Sequence, residues 1–194
     1  MRYKEYNPNR VLEKCIQLFW KSGFKANSIN DIVEATGVNR YSLYSEFTDK
    51  NGILYNSLKL YRERYCEERL AILSQDGSPY DLIKKFYYSF LDTTTANQGC
   101  YIIHIGTELA DTDQKINEVV KSYLSEICVL MEDLLQKDGL AKVESLFFAK
   151  QLVALFCTAM SFCLIHGEEE KDRHISYGLN VILDKAKTHA TSTR

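Results

Sequence analysis

The stretch that decides the fold is GVNRYSLYSEFTDK, from Gly37 to Lys50. On an α-helix that begins at Arg40, successive side chains are rotated by about 100°. Leu43 and Phe47 then lie one turn apart on one side of the helix. The other side carries Arg40, Tyr41, Tyr44 and Ser45. This pattern predicts a short helix that is held down by two apolar residues and presents a basic, aromatic and hydrogen-bonding outer face.

The preceding segment predicts a second helix that meets the first at a sharp turn. Ser28 is a favourable N-cap, Asp31 follows three residues later as in a capping box, and Gly37 ends the segment. Because glycine reaches backbone angles that other residues avoid, Gly37 permits a tight connection, and Asn39 can cap the next helix. Two short helices at a wide angle, the second presenting Arg and hydroxyl groups, form a helix-turn-helix. Its second helix enters the major groove of DNA.

Three segments resemble the N-terminal domain of TetR-type transcriptional regulators. They are LFWKSGF at 18–24, SINDIVEATGV at 28–38 and SLYSEFTDK at 42–50. In that family the pattern G-V/I-x-x-x-[ST]-L-Y-x-x-F-x-x-K closes the motif. This sequence satisfies the pattern at Gly37, Val38, Ser42, Leu43, Tyr44, Phe47 and Lys50. The resemblance covers about residues 8–55, and the remaining chain fits the family only in length and helical character.

The resemblance implies roles for individual side chains. Ser28, at a helix start, would hold a DNA phosphate together with backbone N–H groups, and Tyr44 and Lys50 would contact the DNA backbone. Arg40 is the best candidate for a base edge because a guanidinium can bind guanine bidentately. Tyr41 lies beside it, where many relatives have a small residue. The DNA-binding residues expected in this way are Ser28, Asn39, Arg40, Tyr41, Ser42, Tyr44 and Lys50. Two alternatives stay open: Tyr44 covers the junction with the next helix, or Lys50 is only a solvated charge.

Helical signals continue to the end of the chain. Only two prolines and nine glycines occur in 194 residues, so few positions interrupt a helix. After the head, the periodicity predicts helices over 49–74, 80–93, 100–110, 114–136, 143–166 and 173–187. We therefore expect an all-α fold of about nine helices. A three-helix head in residues 1–50 binds DNA, and a larger body in residues 51–194 binds an effector and dimerises.

The charge distribution agrees with a nucleic-acid partner for the head. Residues 1–50 contain eight Lys and Arg against six Asp and Glu, whereas the remainder contains 16 against 20. The positive excess thus surrounds the predicted helix-turn-helix. The N-terminus has no apolar leader, and the apolar stretch Gln151–Ile165 is shorter than the roughly 20 residues of a membrane span. A cytoplasmic protein without a membrane role is expected.

Motifs of other function classes are missing from the sequence. There is no H-E-x-x-H, no G-x-S-x-G, no phosphate-binding glycine loop and no paired cysteine spacing, so no catalytic, cofactor or metal site is expected. Two alternatives are a helix-turn-helix that contacts proteins and a helical enzyme or carrier. The basic surface at Arg40 and Lys50 argues against the first, and the missing catalytic motifs argue against the second. The predicted function is a TetR-type repressor that is released from its operator by a small-molecule or thiol-reactive effector.

The body contains a helix suited to dimerisation and a set of aromatic residues. The second half of helix 143–166 is apolar on nearly every side, so it should be buried all round. The resemblance implies that the last two long helices pair with those of a second subunit, and such a homodimer would prefer an operator with inverted half-sites. The alternative is a core helix within one chain. An effector pocket or simply the core would be lined by Phe86, Tyr87, Tyr88, Phe90, Tyr101, Phe147 and Phe148.

Cys100 is the candidate redox sensor. It follows Gly99 at a predicted helix start, where backbone N–H groups and the helix dipole favour a thiolate. The pair Gly99-Cys100, with Glu108 eight residues after the cysteine, also resembles a feature that recurs in one branch of TetR-like regulators. The alternative is an inert buried thiol, because free cysteines are usually packed in cores.

Overall fold

A computed structural model describes residues 6–90 and 99–192, with the backbone alone at 162–168, 170–171 and 191–192. Within these ranges the chain contains nine α-helices, one π-helical turn and no β-strand. The helices are α1 (Pro8–Ser22), α2 (Ile29–Thr36), α3 (Arg40–Phe47), α4 (Lys50–Tyr61), α5 (Glu67–Ile72), α6 (Pro79–Tyr88), α7 (Tyr101–Leu109), α8 (Gln114–Lys137) and α9 (Lys142–Ser192). The π-helical turn, Arg62–Cys66, connects α4 to α5. The prediction of an all-α fold is confirmed.

The helices of the head begin at the residues that the sequence marks as caps. The Asn7 side chain accepts hydrogen bonds from the first amides of α1, and the Asn39 side chain accepts one from Ser42 N–H at 2.9 Å. Ser28 and Asp31 form the reciprocal capping box at the start of α2. These bonds satisfy amides that have no acceptor within the helix. The three short helices are therefore defined by local sequence.

The core of the head lies between α1 and α4 and is closed by α3. Leu43 and Phe47 of α3 are buried, as the helical spacing predicts. They pack into one continuous apolar core whose α1 and α4 members are Val11, Leu12, Cys15, Ile16, Phe19, Trp20, Ile53, Leu54, Leu58, Leu60 and Tyr61. The apolar side of α3 is thus fixed, and its polar side is left outside.

The helix predicted over residues 49–74 is interrupted in the structure. A π-helical turn over Arg62–Cys66 separates α4 from α5. Residues five apart on a regular α-helix point about 140° away from each other. The wider turn brings Tyr61 and Cys66 toward one side, and both are buried. A π-helical turn joins residues five apart by hydrogen bonds, one more than in an α-helix, and the helical periodicity of the sequence does not reveal this insertion.

The last helical region folds back on itself. Helical backbone extends over the 51 residues Lys142–Ser192, a length of about 77 Å if it were straight. However, His189 Nδ1 lies 2.9 Å from a carboxylate oxygen of Glu144, and Gly178 packs against Leu155. The chain therefore reverses direction between Leu155 and Gly178. In residue number, the midpoint of each pair falls between positions 166 and 167. The sequence predicts a break between two helices at this place.

Glycine permits this close antiparallel packing. A Cβ atom at Gly178 would lie 2.6 Å from Leu155 Cδ1, so the Leu155 side chain would have to move to admit a larger residue. The first half of α9 over Lys142–Ser161 is 20 residues long with mean hydropathy 1.4, which is long and apolar enough to cross a membrane. Core helices share these properties, and Leu152 and Phe156 from this segment are buried in the body.

The predicted all-round burial of this helix is not what the single chain shows. Leu152 and Phe156 are buried, but Ala154 and Thr158 are exposed. The side chains of 162–165 lie outside the described residues. One face of the first half of α9 therefore packs in the core, and another faces outward.

The aromatic residues of the body are mainly core residues. Phe86, Tyr87, Phe90, Tyr101 and Phe148 are buried, whereas Tyr88 and Phe147 are exposed. The rings of Phe86 and Phe90 lie 5.5 and 5.1 Å from that of Phe156. Most of these aromatic residues therefore pack in the core and do not line an open pocket.

The contact between α3 and α4 leads to a stability prediction. A Cβ atom at Gly52 would lie 1.7 Å from the carbonyl oxygen of Phe47, a backbone atom that cannot swing away as a side chain does. We expect Gly52→Ala to lower the free energy of unfolding by about 1–3 kcal/mol. Urea denaturation followed by circular dichroism measures this change. Ser45→Ala, on the exposed face of α3, is the control and should leave the midpoint unchanged; a parental midpoint for Gly52→Ala would contradict the prediction.

Candidate nucleic-acid interface

The outer face of α3 is uncovered, as the sequence predicts. Arg40, Tyr41, Tyr44 and Ser45 are exposed, while Leu43 and Phe47 are buried beneath them. Tyr41 is 83% exposed, which is unusual for a large aromatic side chain. A rigid helix therefore presents a guanidinium, two phenol rings and a hydroxyl group side by side.

Arg40 is positioned by the neighbouring helix. Its Nη2 donates a hydrogen bond of 3.1 Å to Oδ1 of Asn30 on α2. A guanidinium has five N–H donors in a planar fork, so this one bond orients the group and leaves donors available for a base edge. The sequence analysis did not identify Asn30, because no spacing rule connects it to a residue on the next helix.

Ser28 is occupied by its own cap. Its hydroxyl donates to Asp31 Oδ2 at 2.7 Å, and its backbone N–H donates to the same oxygen at 2.6 Å. These bonds from Ser28 lower the pKa of the Asp31 carboxyl group. The first amides of α2, at Ile29 and Asn30, have no intrahelical acceptor and are the groups best placed to bind a phosphate. A direct phosphate contact from Ser28 stays a prediction.

Asn39 and Ser42 make the hydrogen bonds that position the start of α3. The Asn39 side chain caps the helix at Ser42 N–H, and the Tyr6 hydroxyl donates to the Ser42 carbonyl at 3.1 Å. The first contact defines the start of α3, and the second joins α3 to the segment just before α1. Contacts of Asn39, Ser42 and Tyr44 with DNA remain predictions.

Lys50 binds the turn between α1 and α2. Its ammonium donates a hydrogen bond of 2.8 Å to the Phe24 carbonyl and lies 4.1 Å from the centre of the Phe24 ring. Partial burial lowers the pKa of this ammonium, while the charges of Glu108 and Asp31 oppose that shift. Lys50 is thus more than a solvated charge, and its contact with a phosphate stays a prediction.

Glu108 joins the body to the same turn. Its two carboxylate oxygens accept hydrogen bonds from Phe24 N–H at 2.7 Å and from Lys25 N–H at 2.6 Å. Lys25 Nζ also donates to the Glu108 carbonyl at 3.1 Å. The last turn of α7 therefore holds the α1–α2 turn directly. The sequence analysis linked Glu108 only to Cys100, since no spacing rule identifies a partner more than 80 residues away.

The body has an open cavity of about 400 Å³ between α4, α7 and α8. Its lining includes Tyr55, Lys59, Arg62, Ile102, Lys115 and Tyr123. Two of its cations already have partners, because Arg62 pairs with Glu126 and Lys115 lies 3.8 Å from the Tyr55 ring centre. Within the described ranges no three His, Cys, Asp or Glu side chains form a group that could hold a metal ion.

Cys100 lies at the start of α7, as predicted, and is buried. Burial opposes its ionisation. The polar groups of Cys66, Ile103, Ile102 and Tyr61 nevertheless lower the pKa of its thiol, although its side chain makes no capping hydrogen bond with α7. A reactive thiolate at Cys100 stays a prediction.

Comparison with known proteins agrees with this architecture. Residues 11–55 match the sequence profile described as bacterial regulatory proteins, tetR family. The chain is similar to the HTH-type transcriptional repressor ComR of Escherichia coli K12, with 30% identity over 125 residues. That alignment covers 62% of this chain and 60% of the repressor, less than two thirds of its length.

Solved structures share the fold over nearly the whole chain. A TetR-family transcriptional regulator from Streptomyces coelicolor superposes with a TM-score of 0.82 at 17% identity, covering 93% of this chain and 90% of its own. The TetR-family regulator CifR, in a cysteine-substituted form complexed with 26-bp operator DNA, also has a TM-score of 0.82, at 15% identity over 93% of this chain and 98% of its own. The profile match falls on the helix-turn-helix itself, so residues 11–55 carry the N-terminal domain of the tetR family of bacterial regulatory proteins.

Proposed function

We propose that this protein is a DNA-binding transcriptional regulator, a repressor and not an enzyme, that acts in the cytoplasm. The observation that carries the proposal is the uncovered face of α3, where Arg40, Tyr41, Tyr44 and Ser45 stand on two buried anchors. Further support comes from the family match over residues 11–55 and from a fold neighbour whose structure contains operator DNA.

In this proposal α3 lies in the major groove and reads bases. Arg40 is the principal reader, because its planar donors match the O6 and N7 acceptors of guanine and Asn30 already orients it. Tyr41 and Tyr44 flank it with hydroxyl groups that reach base or backbone acceptors. Amides at the start of α2 and the Lys50 ammonium bind phosphates and set the register of the head on the duplex.

The repressor is proposed to act as a homodimer through α8 and α9. These helices leave large apolar side chains exposed: Val143 is 82%, Phe147 57% and Tyr177 73% exposed, with Val129 and Val181 also outside. Burying such residues against a second copy removes apolar surface from water. A two-fold dimer carries two α3 helices and would bind inverted half-sites.

The body is proposed to receive the effector. The cavity between α4, α7 and α8 admits a small molecule, and Cys100 at the start of α7 admits a thiol-reactive one. Either event acts on α7, whose last turn holds the head through Glu108. A shift of α7 therefore moves the α1–α2 turn and, with it, α3.

The first prediction tests base readout by Arg40. Removing the guanidinium in Arg40→Ala takes away its bidentate contact, so operator affinity should fall by about 1–3 kcal/mol and the base preference at that position should relax. Selection from a random duplex library recovers the operator, and fluorescence anisotropy then measures affinity. Lys59→Ala, which removes one positive charge from the body, is the control. Equal base preference in Arg40→Ala and the parent would show that α3 does not read sequence at this residue.

The second prediction concerns the dimer. A charge placed in a buried apolar interface is strongly disfavoured, so the double variant Phe147→Glu, Tyr177→Glu should be monomeric at micromolar concentration while the parent is dimeric. Size-exclusion chromatography with light scattering gives the mass. Tyr41→Glu places the same charge on an exposed aromatic of the head and should stay dimeric. A monomeric parent would exclude this mode of assembly.

The third prediction tests the link between body and head. Glu108→Ala removes the acceptor of two adjacent amides, and we expect a loss of about 1.5–3 kcal/mol of unfolding free energy together with faster exchange of Phe24 and Lys25 amide protons. Hydrogen-exchange NMR and urea denaturation measure both. Glu118→Ala on α8, which accepts a hydrogen bond from Gln114 on its own helix, is the matched control. Unchanged exchange at the two amides would show that Glu108 does not hold the turn.

A further inference from the structure

The cavity between α4, α7 and α8 has positive charge at its mouth and apolar side chains along its wall. Its volume of about 400 Å³ is within the range of small-molecule pockets. Among the described residues that line it, three are cations and none is a carboxylate. The cations are Lys59, Arg62 and Lys115, and the apolar members are Leu58, Ile102 and Val119. Lys59 and Lys115 are exposed, whereas Leu58 and Ile102 are buried. The charge therefore lies toward solvent and the apolar surface lies inside.

The three cations differ in how far the protein already neutralises them. Arg62 pairs with Glu126, and Lys59 Nζ lies 3.9 Å from a carboxylate oxygen of Glu63. Lys115, by contrast, lies over an aromatic ring and makes no ion pair with any residue that the structure describes. A ring face is a weaker partner for an ammonium group than a carboxylate is. Lys115 is therefore the cation whose charge is available to a ligand.

The inner wall contains a hydrogen-bonding group without a partner. Tyr123 of α8 lines the cavity and is fully buried, and its hydroxyl has no hydrogen-bond partner in the described part of the chain. Buried hydroxyl groups are usually paired, because an unpaired one loses its bonds to water without replacement. A ligand with an oxygen acceptor would supply the missing bond. This feature distinguishes the cavity from a gap between apolar side chains.

We propose that the effector is an amphipathic organic anion, an apolar monocarboxylate small enough for this cavity. Its carboxylate pairs with the Lys115 ammonium at the mouth, and the positive charges of Lys59 and Arg62 add to the attraction. Its hydrocarbon part lies against Leu58 and Ile102, where burial removes apolar surface from water. Three like charges disfavour a cationic ligand, and a neutral ligand leaves Lys115 unpaired. The inference rests on the proposed function, which places the effector in this cavity.

Lys115 also lies where the cavity meets the connection between α7 and α8. The Tyr55 ring beneath it belongs to a side chain whose hydroxyl donates a hydrogen bond of 2.8 Å to Asp113, the N-cap of α8. Asn117, in the first turn of α8, donates one of 2.8 Å to the carbonyl of Ala110, the C-cap of α7. A carboxylate that draws Lys115 off the ring therefore changes contacts next to the end of α7, the part that holds the α1–α2 turn.

Titration calorimetry without DNA tests the ligand class. The probes are phenylbutyrate, naphthylacetate and decanoate, each compared with its neutral primary amide, which has nearly the same size and shape. We expect at least one carboxylate of this panel to bind about tenfold more tightly than its amide, and the difference to shrink as added salt screens the cations. If every amide binds as tightly as its carboxylate, the proposal is wrong.

Two lysine variants of α8 locate the bound anion. Lys115→Met removes the charge and keeps a flexible side chain over the Tyr55 ring, so the preference for the carboxylate should fall several-fold. Lys121→Met removes an exposed charge from the same helix outside the cavity lining, and this matched control should keep the preference. Both lysines are exposed, so neither change removes core packing. An undiminished preference in Lys115→Met would place the anion elsewhere and overturn the assignment.

Operator binding separates this inference from the proposed function. In fluorescence anisotropy the preferred carboxylate should lower operator affinity about tenfold or more, and its amide should have a smaller effect at the same concentration. A carboxylate that binds at Lys115 and leaves operator affinity unchanged would contradict the effector role of the cavity. The ligand class found by calorimetry would still hold in that case, because it is measured without DNA.

Discussion

The arrangement of this protein depends on one carboxylate, Glu108, which accepts the two adjacent amides of Phe24 and Lys25. These amides follow the end of α1, where the chain turns toward the helix-turn-helix and no helical acceptor is available to them. From the other side, the Lys50 ammonium holds the Phe24 carbonyl and covers its ring. The turn is thus clamped between an anion of α7 and a cation of α4. Charge-assisted hydrogen bonds of this kind are among the stronger polar contacts of proteins.

Because the carboxylate of this clamp belongs to the last turn of α7, the position of the head depends on the body. Trp20 of α1 extends this contact inward, with its ring 5.2 Å from that of Tyr61 and 5.8 Å from that of Tyr101. Tyr61 precedes the π-helical turn, and Tyr101 begins α7. The same two elements border the cavity. Any ligand or modification that changes their spacing therefore acts close to the turn that orients α2 and α3.

The outer face of α3 and the outer side of α8 and α9 are both exposed, and they differ in chemistry. The face of α3 is polar and aromatic on a helix whose apolar side is fully used by the core, so its exposed groups are available for hydrogen bonds to a nucleic acid. The outer side of α8 and α9 is apolar, with Val143, Phe147 and Tyr177 open to solvent. Exposed apolar clusters of this kind are typical of surfaces that bind another protein. The two surfaces thus differ in the way that the two proposed partners, a duplex and a second copy of the chain, would require.

The sequence by itself determined the helical class, the caps of the head and the outer face of α3. These features depend on backbone hydrogen bonding and helical periodicity, which involve residues a few positions apart. It also indicated that Cys100 begins a helix. Only the tertiary structure decided that Glu108 holds the α1–α2 turn and that Asn30 orients Arg40. It also placed the predicted aromatic set in the core and interrupted the helix after Tyr61. Each of these depends on which helices pack together and at what angle, and many sequences with the same local pattern could pair their helices differently.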